Sequence, residues 1–174
     1  MEMTQVLVFA RDVANVRELK AGLENANYGV RIVRDEAKAL DVVDNIAPAA
    51  VLVLAAGGER DPLRFAEQLA DEAAPGPALV LIVNRADRDR AEAIADETLL
   101  APVRATHVVS GVRTAIARRI LAHLGAGATA DCRADTAHLA LGDYLRGVAE
   151  GQASVRVDIR YQDQTAWLSF HRGE

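Results

Sequence analysis

The chain has 174 residues, 51% of them hydrophobic, with 25 acidic and 20 basic side chains and a formal net charge of −5. That length allows one well-formed core and a second small one. The acidic balance gives no general attraction to nucleic acid or to an anionic membrane surface, so we expect neither as a partner. Cys132 is the only cysteine, which excludes an internal disulfide and a cysteine metal cluster. No apolar run approaches the roughly 20 residues of a membrane span, and we expect a soluble, cytoplasmic protein that holds no metal or cofactor.

Four short, mainly apolar runs predict strands, at 5–10, 30–33, 50–55 and 78–83. The third is free of charge and continues through small residues to Gly58, which is typical of a strand buried on both faces of a parallel sheet. A fifth strand is predicted within 102–109. Ligand sites in such sheets form outside the carboxyl ends of the strands, so the residues at these ends limit the chemistry.

Apolar residues at helical spacing predict five helices that alternate with these strands. Asp35 opens the second helix, and Asp61 with Pro62 is a strong start for the third. The fourth helix is predicted over 87–97, and the fifth along Val112, Ile116, Ile120 and Leu124. The pattern predicts an α/β fold with a five-stranded parallel doubly wound sheet of the flavodoxin type, in which strands one, three and four are central.

The order and lengths of these elements over 4–124 resemble a CheY-like receiver domain. The resemblance implies two magnesium-binding acids after strand one and a phospho-accepting aspartate at the end of strand three. It also implies a Ser or Thr after strand four and a lysine and proline after strand five. The residues at the matching positions are Ala10 and Arg11, then Ala55 (or Leu54 in a register one residue earlier), then Ile82 or Val83, then Val109 and Ser110.

These replacements remove the chemistry that the resemblance implies. Formation of an acyl phosphate needs a carboxylate nucleophile and a divalent cation. The third strand has no acid, and Arg11 repels a magnesium ion; Asp12 approaches the site only if the first strand shifts by two residues. We therefore predict a degenerate receiver, a pseudo-receiver, with no catalytic residue.

Charged side chains are dense on the predicted fourth and fifth helices. From the residues alone, mixed charges at this spacing are a solvated helix face. In receiver domains, however, the surface of helix four, strand five and helix five is the usual dimer or partner surface, joined by acid–arginine pairs. The resemblance therefore implies an interaction face, with a homodimer among its outcomes, formed by Asp96, Glu97, Arg113, Arg118 and Arg119.

The composition changes after the fifth helix. We predict a pseudo-receiver domain over 1–124, a Gly- and Ala-rich linker over 125–136, and a small helix plus β-hairpin unit over 137–174. The helix carries Leu141, Tyr144, Leu145 and Val148, and a four-residue turn at 161–164 joins two strands of alternating apolar and polar residues. Because a two-stranded hairpin is marginal alone in water, we expect it to pack on the receiver unit or on a second copy, with Trp167 at the contact.

This C-terminal unit resembles the start of a PATAN domain. The resemblance is carried by 141–145, 154–157 and 166–174, the last of which ends in the Phe170-His171-Arg172-Gly173 turn. In that family another strand and helices follow the turn, so two alternatives remain open: a fragment of a longer protein, or a truncated unit attached to a receiver.

The function predicted from the sequence is that of a non-catalytic bacterial signal-transduction adaptor. It resembles regulators of two-component circuits and would bind other signalling proteins without phosphorylation. The alternative is a small-ligand sensor that uses the emptied pocket around Ala10, Arg11, Ala55 and Asn84, in which Arg11 pairs with an anionic metabolite.

Overall fold

Five parallel strands alternate with five helices in the part of the chain before residue 126. The structure, a computed structural model, describes residues 4–11, 16–55, 62–72, 76–125, 155–161 and 164–170. The strands are β1 (Gln5–Phe9), β2 (Gly29–Val33), β3 (Ala50–Leu54), β4 (Ala78–Val83) and β5 (Glu97–Leu100). The helices are α1 (Val16–Asn25), α2 (Glu36–Ile46), α3 (Pro62–Glu72), α4 (Arg88–Glu92) and α5 (Ala105–Gly125). The strand order is β2-β1-β3-β4-β5, which confirms the predicted doubly wound parallel sheet.

Helices cover both faces of the central strands. One core cluster joins α1 and α5 to one face of the sheet, and a second joins α2, α3 and α4 to the other. Residues 6–9, 50–53 and 78–83 are therefore almost inaccessible to solvent. Apolar side chains on both faces of a strand are what such a two-sided core requires.

Two of the predicted helix starts are confirmed. The Asp35 carboxylate accepts a hydrogen bond from the backbone N–H of Lys38, at 3.0 Å, and so caps α2. Pro62 is the first residue of α3, where its missing N–H has no cost because the first turn of a helix has no partner for it.

The predicted end of the fourth helix and the predicted position of the fifth strand are wrong. Helix α4 ends at Glu92, and β5 begins at Glu97, where the prediction still had helix. The chain turns there because the backbone N–H of Asp96 donates to Leu79 O (2.9 Å) while its carboxylate accepts from Leu79 N (2.7 Å). Asp96 thus joins the next strand to β4.

Most of the segment predicted as the fifth strand, residues 105–109, forms the start of α5. Val108, Val112 and Ala115 are spaced three and four residues apart and are fully buried, as one face of a helix packed on the sheet requires. Thr106, Val108 and Val109 therefore belong to a helix, because burial of a repeating face outweighs their preference for strands.

Beyond α5 the structure describes a two-stranded antiparallel hairpin. Its strands are β6 (Val155–Tyr161) and β7 (Gln164–Phe170). Tyr161 pairs with Gln164, so these two residues belong to the strands and not to a four-residue turn. The register puts Val155, Val157, Ile159, Ala166, Leu168 and Phe170 on one face and Trp167 on the other. The predicted linker, the helix with Leu141, and the Phe170–Gly173 turn beyond Phe170 lie outside the described residues.

None of the described helices is both long enough and apolar enough to cross a membrane.

Helices α1 and α5 approach each other closely at Gly22. A Cβ atom at this position would lie 2.6 Å from the Cβ of Ala105, well inside the roughly 3.5–4 Å that carbon atoms prefer. The contact fixes the separation of the two helices that cover this face of the sheet.

We expect Gly22→Ala to lower the free energy of unfolding. Overpacking costs about 1–3 kcal/mol, more than the roughly 1 kcal/mol that alanine gains over glycine inside a helix. Urea unfolding measures the loss, and the Gly22→Ala/Ala105→Gly double variant is the matched control because it reopens the space. A higher urea midpoint for Gly22→Ala would contradict the close contact.

Candidate functional site

The end of β1 carries Ala10 and Arg11, the positions that the sequence analysis matched to magnesium-binding acids. Ala10 is buried in the α1–α5 core, and its backbone N–H donates to Val33 O at 3.1 Å. Arg11 is half-buried, and its side chain lies toward α2. Neither residue offers an oxygen ligand from its side chain.

The Arg11 guanidinium is held by two contacts. Nη2 forms an ion pair with Glu36 Oε1 in the first turn of α2, and the guanidinium carbon lies 5.9 Å from the centre of the Phe9 ring. The Phe9 ring in turn packs against Phe65 of α3, with ring centres 4.4 Å apart. Since a cation over an aromatic face is attracted to it, Phe9 and Glu36 together fix Arg11 across the carboxyl end of β1.

The end of β3 is apolar in both registers that the sequence allowed. Leu54 packs against the α1–α5 core, whereas Ala55 is buried in the α2–α3–α4 core and donates its N–H to Ile82 O at 2.8 Å. Ala55 therefore lies on the same face of the sheet as Phe9, and Leu54 on the same face as Ala10. Neither of these positions carries a carboxylate. Asp12 and residues 56–61 lie outside the described part of the chain.

At the end of β4 the positions matched by the resemblance are unchanged, and at the end of β5 one of them is corrected. Ile82 and Val83 are buried on opposite faces of the sheet, and Asn84 is the first exposed residue after β4. Val109 does not follow strand five, because it lies in α5 and packs against the core. The residues after β5 are Ala101 and Pro102, so the proline implied by the resemblance has a counterpart and the lysine does not.

An open cleft of about 350 Å³ lies beside Arg11, lined by Arg11, Arg34, Asp35 and Glu36. Its two guanidinium groups face two carboxylates, of which one caps α2 and the other pairs with Arg11. The lining charges therefore balance. Among the residues that the structure describes, no group of three or more His, Cys, Asp or Glu side chains is arranged to hold a metal ion.

The acids and arginines predicted for an interaction face pair with each other within the chain, between α5 and the start of β5. Arg118 Nη1 donates to Glu97 Oε2 at 2.6 Å and to Asp96 O at 2.7 Å. Arg119 lies 3.9 Å from Asp96 Oδ1, and its Nε donates to Gly76 O at 3.2 Å. Asp96 and Arg119 therefore hold β5 and the start of β4 together, while the Arg118 side chain remains 59% exposed.

Arg113 does not belong to this surface. It lies about 140° around the helix from Arg118, since five residues separate them, and forms a hydrogen bond with the buried Tyr28 after α1. Burial raises the pKa of the Tyr28 hydroxyl, and the hydrogen bond and positive charge of Arg113 oppose that rise. Trp167 lies in β7 opposite Asp158, and whether it forms a contact surface stays a prediction.

Glu97 combines burial with an ion pair. Burial raises the pKa of its carboxyl above the ordinary value of 4.5, and the charge of Arg118 opposes that rise without cancelling it. The folded protein therefore holds this proton to a higher pH than the unfolded chain does. By linkage, the contribution of Glu97 to stability is fully present below pH 4.5 and declines as the pH rises through the folded pKa.

We expect Glu97→Gln to remove this decline. Wild type should lose unfolding free energy relative to Glu97→Gln as the pH rises above 4.5, measured by urea unfolding. Arg118→Ala should raise the pKa of Glu97 further, because it removes the opposing charge. NMR titration of the Glu97 carboxyl carbon measures both values, and a midpoint below 4.5 in wild type would contradict the assignment.

Comparisons with known proteins agree with this geometry at the level of the fold. No protein-family model matches the sequence, and no curated protein sequence matches it significantly. Several solved structures, in contrast, are similar to this chain. A response regulator receiver domain from Clostridium thermocellum is 18% identical with a TM-score of 0.59, covering 69% of this chain and 99% of its own. The signal receiver domain of a modulated diguanylate cyclase from Desulfovibrio desulfuricans G20 is 20% identical with a TM-score of 0.59, covering 70% and 99%.

A third solved structure is the chemotaxis response regulator CheY4 of Vibrio cholerae, which is 13% identical with a TM-score of 0.57, covering 66% of this chain and 99% of its own. Identities this low establish the fold alone. The five-stranded sheet and its helices thus have the CheY-like, flavodoxin-type fold of response regulator receiver domains.

Proposed function

We propose that this protein is a non-catalytic signal-transduction adaptor of bacterial two-component type. In this proposal the receiver-like domain lacks a phospho-accepting aspartate and acts through protein–protein contact that does not depend on phosphorylation. The proposal includes a cytoplasmic location, no cofactor, and other signalling proteins as partners.

One observation carries the proposal: the end of β1 carries an arginine, fixed by Glu36 and Phe9, and the end of β3 carries a buried alanine. Phosphoryl transfer to a carboxylate needs that carboxylate and a cation to offset the phosphoryl charge. Ala55 cannot act as a nucleophile, and the positive charge of Arg11 disfavours a divalent cation at the same edge. Without a nucleophile or a cation at these strand ends, the proposed function depends on the charged surfaces of the domain.

The contact surface we propose is the α4–β5–α5 surface, either for another signalling protein or for a second copy. Arg118 is its most informative residue, because Asp96 and Arg119 are already occupied in joining β5 to β4. The exposed Arg118 guanidinium can exchange Glu97 for a partner carboxylate. Exposed pairs add little stability, so their contribution would be to the choice of partner.

We expect no phosphorylation of this chain by acetyl phosphate with Mg²⁺. Intact-mass spectrometry should find no phosphoryl adduct, and beryllofluoride with Mg²⁺ should leave the amide NMR signals around Ala55 unchanged. A phosphorylatable receiver domain treated in parallel is the positive control. An adduct on Asp12 or on any other acid near the ends of β1 and β3 would refute the pseudo-receiver assignment.

The contact surface is tested by charge reversal at Arg118. We expect Arg118→Glu to lose a signalling protein that wild type captures from the lysate of the source cell, while Arg104→Glu, an exposed arginine before α5, keeps it. Sedimentation velocity of the same three proteins tests the second-copy outcome. Arg118→Glu places two acids side by side, because Arg118 pairs with Glu97, and could therefore disturb the fold. Arg118→Ala avoids this repulsion. If it also loses the partner while its circular dichroism spectrum stays native, the loss is one of contact and not of fold. Capture that is equal for all variants contradicts this surface.

The ligand-sensor alternative is not favoured by the same geometry. It required Arg11 to pair with an anionic metabolite, but the Arg11 guanidinium is already paired with Glu36. The cleft beside it carries equal numbers of positive and negative groups, so a small anion gains little net attraction there.

A further inference from the structure

The two edges of the sheet differ in exposure. Strand β2 forms one edge, and among the described strands it pairs only with β1. Arg31 and Ile32 in this strand are exposed, and Ile32, at 37%, is the one large hydrophobic side chain exposed among the described residues. At the other edge, every residue of β5 is half-buried, and Arg118 pairs with Glu97 at the first residue of the strand. The open edge is therefore β2.

The open edge is also positively charged. Arg31, Arg34 and Lys38 are exposed, and no ion pair among the described residues engages them. Of the two neighbouring acids, Glu36 pairs with Arg11, and Asp35, which caps α2, offsets only one of these three cations. A local excess of positive charge thus surrounds an exposed apolar side chain, on a protein whose net charge is −5.

We propose that the β2 edge docks an acidic, extended segment of a partner protein, which adds to the sheet as a sixth strand. Backbone hydrogen bonds to the free edge of β2 would provide affinity, as in other strand additions. An apolar side chain of the segment packs on Ile32, and its carboxylates face Arg31 and Arg34. This edge is separate from the α4–β5–α5 surface, so this proposal goes beyond the proposed function and can fail without it.

Charge favours this occupant over the strands that the chain itself offers, of which the uncharged β7 (Gln164–Phe170) gains no electrostatic attraction at a positive edge. The hairpin strand β6 carries Arg156 and Arg160 with only Asp158 to offset them, so it brings positive charge to a positive edge. A symmetric pairing of β2 with β2 of a second copy brings the arginines of both edges together. Like charges at a contact disfavour both arrangements, whereas an acidic segment is complementary.

The probe is a blocked synthetic peptide of alternating glutamate and valine, followed by amide NMR of the full chain. We expect shifts in the amide signals of 29–33, and weaker binding at high salt because the contact is partly electrostatic. A blocked peptide of alternating lysine and valine is the matched control and should cause no shifts. Absence of shifts with the acidic peptide, or equal shifts with both peptides, overturns the proposal.

Variants of Arg31, Arg34 and Ile32 test whether these side chains contribute to peptide binding. We expect Arg31→Glu/Arg34→Glu to weaken binding of the acidic peptide by about tenfold or more, since two favourable charges become unfavourable. The matched control Arg64→Glu/Arg104→Glu reverses two exposed arginines elsewhere and should bind like wild type. Ile32→Thr keeps the strand preference and should weaken binding severalfold. Equal loss in the control variant, or concentration-dependent shifts of the same amides without peptide, overturns an acidic partner segment as the occupant.

Discussion

Burial of β1, β3 and β4 on both faces is the constraint on which the rest of this structure depends. Every side chain from 78 to 83 is apolar and buried, and the same holds for the centres of the other two strands. A charge inside such a layer would lose its hydration without a partner, so polar chemistry is confined to strand ends and sheet edges. The surfaces discussed above all lie at these positions.

At the carboxyl ends of the strands, this chain compensates its charge internally. Arg11 is neutralised by Glu36 and packed on Phe9, so this edge holds an ion pair between β1 and α2. The ion pair is half-exposed and contributes little to stability by itself. Its consequence is positional: it holds a guanidinium at the carboxyl end of β1, where neither Ala10 nor Arg11 offers an oxygen ligand from its side chain.

The two edges of the sheet, β5 and β2, differ in what covers them. Asp96 bonds to both backbone groups of Leu79 and so joins β5 to β4, and Arg118 pairs with Glu97, the first residue of a strand that is half-buried throughout. At β2 the exposed charges of Arg31, Arg34 and Lys38 oppose pairing with an unwanted strand. Charged side chains are a common protection of an exposed sheet edge in proteins. The same charges restrict which segment can pair there.

Local pattern was sufficient for much of the fold. The apolar runs predicted β1 to β4 within about a residue, and Asp35 and Pro62 marked helix starts through interactions that span only one turn. Tertiary structure decided the rest. Strand β5 begins with Glu97 and Thr98 and is half-buried throughout, so it has no apolar signature. Its position depends on bonds between Asp96 and Leu79, 17 residues apart.

The partners of the arginines were likewise beyond the reach of the sequence. Which of Arg11, Arg113 and Arg118 meets a carboxylate, a tyrosine or a neighbouring protein depends on how α5 and α2 lie against the sheet. The sequence by itself determined the fold class and the loss of acids at the strand ends, because residue type and short-range spacing suffice for both. Only the packed structure decided these pairings, because they join residues that are distant along the chain.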